Sequence, residues 1–156
     1  MEGYPYFVTT ATHRRTPIFA DTTNAELLMN VLYETRERYS FLILSFVLMP
    51  DHFHAVLARQ GDTISQVMRF IKGTYARTHN ERSRTVGPVW QTRFYERVVR
   101  DEDALRSIIQ YVEWNPLRAG LARSPDECPF SSAHPDRPVD LETFFSGQAE
   151  GRANGW

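Results

Sequence analysis

The sequence predicts an α/β domain of the α+β kind, with a central, largely antiparallel sheet and flanking helices. Three observations carry this expectation. Two apolar runs, FLILSFVLM and HFHAVLA, meet across a Pro-Asp step at residues 50 and 51, which reads as two strands joined by a tight hairpin. Three other segments space their apolar residues at helical intervals. The resulting order is strand, helix, two strands, helix, extended element, helix, a set that buries its apolar surfaces as a sheet with helices packed on it. The pattern does not give the strand order.

Taken in turn, YPYFVTTAT (4–12) is rich in aromatic and β-branched residues and reads as the first strand. NAELLMNVLYETRER (24–38) places apolar residues at 27, 28, 31 and 32, a helix that Asn24 or Thr23 is expected to cap. After the hairpin, TISQVMRFIKGTYARTHN sets Ile64, Val67, Met68, Ile71 and Tyr75 on one helical face, beginning at a cap on Asp62 or Thr63. Residues 80–88 are polar and basic with a Gly-Pro step, the signature of an exposed loop. VWQTRFYERVV favours an extended conformation. DEDALRSIIQYVEWN is the clearest helix, with acids at its positive end, and Pro116 makes Asn115 its expected last residue. The remainder reads as irregular packing followed by a disordered end.

At 156 residues the chain suits one compact domain. Its 42% hydrophobic content excludes a disordered polymer. No run approaches the roughly 18 apolar residues of a membrane span, so no membrane partner is expected. MEGYPYFVTT lacks the basic-then-apolar pattern of a secretory signal. The lone Cys128 excludes an internal disulfide or a thiolate zinc cluster, and a reducing cytoplasm is the expected compartment.

Net charge is only -1, but its distribution is uneven. Between Arg59 and Arg100, nine Arg or Lys residues face three acids, a local charge of +6. This permits a basic surface for a polyanion, and a merely solvated surface remains the alternative. Arg69, Lys72, Arg77, Arg82 and Arg84 are the candidate phosphate contacts. Trp90, Phe94 and Tyr75 read as packing residues more than as platforms for unpaired bases.

Two features carry chemistry. His52 and His54 are two apart on a strand and so project together, away from Phe53, Ala55 and Leu57. Two neutral imidazoles held this way can bind one divalent ion and leave positions open; a solvent-facing strand end is the plainer alternative. Asp51 projects opposite His52 in a regular strand, so it is a poor first ligand and suits the turn instead. On the third helix, Tyr111 and Asn115 lie one turn apart at the edge of the apolar arc made by Ala104, Leu105, Ile108, Ile109 and Val112. There a phenol can react while an amide binds metal, or the pair can simply pack and end the helix. Tyr95, in RFYE, is the competing nucleophile, without a helical Asn partner.

Taken with YFVTTATHRRTPIF, SFVLMPDHFHAVL, ISQVMRFIKGTYARTHN and GPVWQTRFYERVVRDEDALRSIIQYVEWNPLRAGLARSPDECPFSS, the chain resembles the IS200-like single-tyrosine transposases, in their REP-associated branch. The resemblance implies a ferredoxin-like sheet related to the Rep-type HUH nucleases over residues 1–135, with 136–156 as a partly disordered extension. It implies that His52, His54 and Asn115 hold Mg²⁺ or Mn²⁺ and that Tyr111 is the nucleophile. The implied partner is single-stranded DNA with a hairpin, bound by a monomer or homodimer in the cytoplasm, at the nucleoid when on DNA. The implied reaction nicks and rejoins that DNA through a 5′-phosphotyrosine, freeing a 3′-hydroxyl. Two rivals stand beside it: a non-catalytic hairpin DNA- or RNA-binding protein of the same fold, and a protein in which the metal is structural.

Overall fold

The computed structural model describes residues 3–150. Its main elements are β1 (Pro5–Ala11), α1 (Thr22–Tyr39), β2 (Phe41–Met49), β3 (His52–Arg59), α2 (Ile64–Ser83), β4 (Tyr95–Val98), α3 (Glu102–Arg118) and α4 (Leu141–Glu150). The strands form one antiparallel sheet in the order β2-β3-β1-β4. Met49 pairs with His52, so Pro50 and Asp51 are the two turn residues of the expected hairpin.

Side-chain alternation divides the core into two layers. Val8, Phe53, Ala55 and Leu57 join the buried residues of α1 and α2 on one face. Val56 and Ala58 join those of α3 and α4 on the other. In β2 the alternation changes phase. Phe41 and Ile43 face α1 and α2, whereas beyond a register irregularity between Ile43 and Ser45 it is Phe46 and Leu48 that do so. One extra residue in a strand has this effect, because the side-chain period is two.

Four details differ from the sequence expectations. Asp21 caps α1 by accepting from the Thr23 amide, while Thr23 and Asn24 already lie inside the helix. Asn24 instead donates to the Ile18 carbonyl at 2.9 Å. Thr63 caps α2 in a reciprocal capping box with Gln66, and the helix runs through Ser83 into the stretch read as loop. Its last turn is solvated, so apolar spacing gives no signal there. α3 continues past Asn115 to Arg118 with Pro116 inside it. A proline removes only its own helical bond, and here Pro116 is buried and the Ala119 amide still reaches the Asn115 carbonyl at 3.1 Å.

The fourth difference is the C-terminal segment. Residues 141–145, expected as irregular packing, and the first residues of the expected disordered tail form a helix over Leu141–Glu150, with Phe144 buried against the α3 side of the sheet; residues 151–156 of that tail lie outside the described residues. Before it, the chain runs along the outer edge of β2. The Leu48 amide donates to the Phe130 carbonyl, the Ser132 amide to Phe46, and the Asp140 amide to Ile43. This covers one of the two sheet edges. Asp140 anchors it: the carboxylate accepts from the Arg36 guanidinium and from the Ile43 amide at 2.9 Å. Burial works against its ionised form, but the Arg36 hydrogen bonds and the Ile43 amide outweigh it and hold the carboxyl below its usual range.

Replacing one partner of such a buried, charge-assisted pair leaves the other unsatisfied. Asp140→Ala is therefore expected to cost about 3 kcal/mol of stability, read as a lower urea midpoint at unchanged slope.

Candidate active site

β3 is bonded on both sides, to β2 and to β1, so its register is fixed twice. That places His52 and His54 on the α3 face of the sheet, with ring centroids 4.7 Å apart and planes at 80°. In each ring Nδ1 is already engaged. His52 Nδ1 lies 2.7 Å from Asp51 Oδ1, and Asp51 Oδ2 accepts from Arg15 Nε at 2.9 Å. Burial alone would raise the Asp51 carboxyl, yet the hydrogen bonds from His52 and Arg15 prevail and keep it low, hence ionised. An ionised carboxylate accepts, so His52 carries its proton on Nδ1. Asp51 lies in the turn, as expected, but its carboxylate meets the His52 ring instead of projecting away from it. His54 Nδ1 lies 2.7 Å from Thr9 Oγ1, the residue directly across the ladder in β1.

Both pairings leave Nε2 as the ring nitrogen without a hydrogen bond among the described residues. Arg15 reaches Asp51 from a short turn in which Arg14 and Arg15 both take left-handed backbone angles, φ 55° and 56°. Thr12 Oγ1 braces that turn, its one proton within reach of the carbonyls of Thr16 at 2.8 Å and Asp51 at 3.1 Å.

His54 is 7% exposed, stacked on Phe7 at 5.6 Å and edge-on to Tyr111 at 5.9 Å. Burial, reinforced by the neighbouring charges of His52, Arg15 and Arg118, lowers its pKa to about 4. It therefore presents a neutral imidazole at any ordinary pH. Tyr111 is 45% exposed, its ring held edge-on by Phe7 at 6.1 Å. One turn further along α3, Asn115 is half-buried and its side chain makes no hydrogen bond among the described residues.

The donor chemistry suits a divalent ion. Two imidazoles with Nδ1 fixed by a carboxylate and a hydroxyl are the usual backing of metal-binding histidines. The described residues hold no cluster of three or more His, Cys, Asp or Glu. His52 and His54 could supply two ligands to such an ion; Asn115, the third residue that the resemblance implies, lies one turn after Tyr111 on α3.

The other candidates are placed differently. Tyr95 pairs with Thr9 in β4, in the same cross-strand row as His54, and packs edge-on to Phe7 at 6.2 Å. Arg69, Arg77, Arg82 and Arg84 lie on α2 or at its end, in the layer across the sheet from Tyr111. Lys72 is engaged within the fold: its Nζ donates to the Gln91 carbonyl at 2.9 Å and its own carbonyl accepts from the Trp90 indole. Trp90 and Tyr75 are core residues, as expected. Sequence reasoning missed Thr9, Phe7, Arg15 and Arg118. Only Arg118 left a signal, two helical turns after Tyr111, and reading a helix end at Asn115 hid it.

Residues 2–115 match the model of the IS200-like transposases. The chain belongs to that family. Its similarities run to the REP-associated branch. It is 26% identical over 136 residues to the "REP-associated tyrosine transposase" of Escherichia coli (strain K12), covering 86% of this chain and 78% of that one. A solved "Structure of the REP associates tyrosine transposase bound to a REP hairpin" superposes with a TM-score of 0.76 at 25% identity, over 87% of this chain and 80% of that one. A second structure, from Deinococcus radiodurans R1, shares the fold at a TM-score of 0.53 and 22% identity, over 70% and 88% of the two chains. No helix among the described residues is long and apolar enough to cross a membrane.

In the metal-free protein, NMR titration of the His54 ring is expected to show a midpoint near 4. The unfolded chain binds this proton below about pH 6.5 and the folded chain does not until about pH 4. Stability from burying the neutral ring is thus complete above about pH 6.5 and is lost as the pH falls to about 4, a swing of about 3 kcal/mol. His54→Gln is expected to remove that part of the acid sensitivity of unfolding.

Proposed function

We propose that this protein is a metal-dependent single-strand DNA nickase and strand transferase that works beside hairpins through a tyrosine nucleophile. One observation carries the reading: the exposed phenol of Tyr111 stands 5.9 Å, ring to ring, from a neutral histidine whose neighbouring histidine shares its face. The REP hairpin bound to the superposing transposase supports the class of substrate. Mg²⁺ or Mn²⁺, when bound, supplies Lewis-acid polarisation and charge neutralisation at a phosphoryl oxygen.

The chain's own groups do the rest. His52 and His54 present Nε2 lone pairs, their orientation fixed by Asp51 and Thr9, and Asn115 adds an amide oxygen. Phe7 packs edge-on to the Tyr111 ring, which stays partly in solvent where a strand can reach it. The Tyr111 Oη–P bond forms as the P–O3′ bond breaks; the phenolic proton leaves to solvent and the departing 3′ oxygen takes one up. The number of phosphoester bonds is unchanged, so a 3′-hydroxyl can reverse the step and rejoin DNA without a nucleotide triphosphate. Arg69, Arg77, Arg82 and Arg84, on the other layer, are the candidate contacts to the phosphates of the hairpin stem. The protein acts where that DNA is, in the cytoplasm.

Oligonucleotides spanning imperfect palindromes beside the gene, incubated with Mn²⁺, are expected to give a covalent protein–DNA band on a denaturing gel. Tyr111→Phe should abolish the band while hairpin binding persists. Binding without a band from either protein, with both metals, would instead identify a non-catalytic hairpin-binding protein. Chelation or His52→Ala should stop cutting and leave the far-UV circular dichroism in place; unfolding on chelation would assign the metal a structural role. The Arg82→Ala/Arg84→Ala pair should weaken hairpin binding and flatten its salt dependence by about one unit of slope per lost phosphate contact.

A further inference from the structure

The proposed reaction brings a polyanion to a sheet face from which the basic residues of α2 are remote. A different cation stands there. Arg118 follows Tyr111 by seven residues, two helical turns, so both side chains share one side of α3. Its guanidinium carbon lies 4.5 Å from the centre of the Tyr111 ring, and the same group donates to the Tyr111 carbonyl. Arg118 is exposed and forms no ion pair with a carboxylate among the described residues. Its charge also reaches His54, where it disfavours protonation. Arg15, the other arginine that acts on His54, is paired to Asp51.

A guanidinium lying on an aromatic face keeps its donors in a plane, at the edge of the stack. One of them is used on the Tyr111 carbonyl; the others remain beside the phenol. We propose that Arg118 is the phosphodiester clamp of this site: its stack positions the Tyr111 ring, and its remaining N–H groups bind the non-bridging oxygens of the strand under attack. The inference rests on Tyr111 as nucleophile and adds the group that holds the substrate against it. Lysine cannot replace it fully, because an ammonium binds phosphate as a point charge without the planar stack.

The test begins with Tyr111→Phe protein, which keeps the ring and leaves DNA uncut, and a hairpin oligonucleotide with a single-stranded flank. A neutral methylphosphonate replaces each linkage of the flank in turn. At one position it should weaken binding about tenfold, and the same substitution should have no effect once Arg118→Ala is added. Equal losses in both proteins at every position would overturn the clamp, since a residue that merely caps α3 does not read substrate charge. In protein that retains Tyr111, Arg118→Lys should keep most of the affinity but form the covalent adduct at least about tenfold more slowly at saturating DNA. An unchanged adduct rate would overturn the positioning role. If protein with Tyr111 and Arg118 both intact forms no adduct, the nucleophile reading fails, and the charge comparison still decides whether Arg118 contacts the strand.

Discussion

The candidate site depends on the register of β3. Among the described strands, this one has the most extensive pairing on both sides, to β2 over His52–Arg59 and to β1 over His52–Ala58, and it is buried between two helical layers. Phe53, Ala55 and Leu57 must face α1 and α2, because each is fully buried there. Period two then obliges His52 and His54 to face α3. A slip of one residue would drive both imidazoles into the larger core and expose the apolar set, so packing enforces the geometry of the histidine pair. The same register sets Thr9 beside His54 and the turn aspartate beside His52.

α3 supplies the opposite wall of the site. Its apolar side, Leu105, Ile108, Val112 and the buried Pro116, seats the helix on the sheet. That seating delivers Tyr111 to the edge of His54 and leaves its ring partly in solvent. A proline within the last turn forfeits one hydrogen bond, and burial of its ring offsets the loss. The extra turn carries Arg118 back over Tyr111. Of the two arginines whose charge acts on His54, the other, Arg15, is already paired to Asp51.

The two faces of the sheet thus offer different surfaces to a polyanion. The helical layer of α1 and α2 holds a broad set of arginines that suits sequence-independent attraction to phosphate. The α3 layer holds a compact set of oriented groups in which both imidazoles and the tyrosine ring have named partners. Covering of the β2 edge by residues 130–140, locked by Asp140 and Arg36, keeps this arrangement from pairing with foreign strands.

The sequence alone determined the α+β class, the hairpin, the shared projection of His52 and His54, and the placement of Tyr111 and Asn115 one turn apart on one helix. Each is a local property, set by a periodicity of two or of 3.6 residues. Tertiary structure decided what no periodicity encodes. The phase change in β2 is invisible in a run where every residue is buried. The strand order, and hence Thr9 beside His54 and Tyr95 in the same row, comes from pairing between segments distant in sequence. Only packing shows that Pro116 is tolerated and Arg118 reaches back to Tyr111, that Lys72 is committed to the fold, and that the C-terminal segment orders as α4 because Phe144 finds a core. Local pattern says which way a side chain points along its own element; which groups meet there depends on the free energy of burying the elements together.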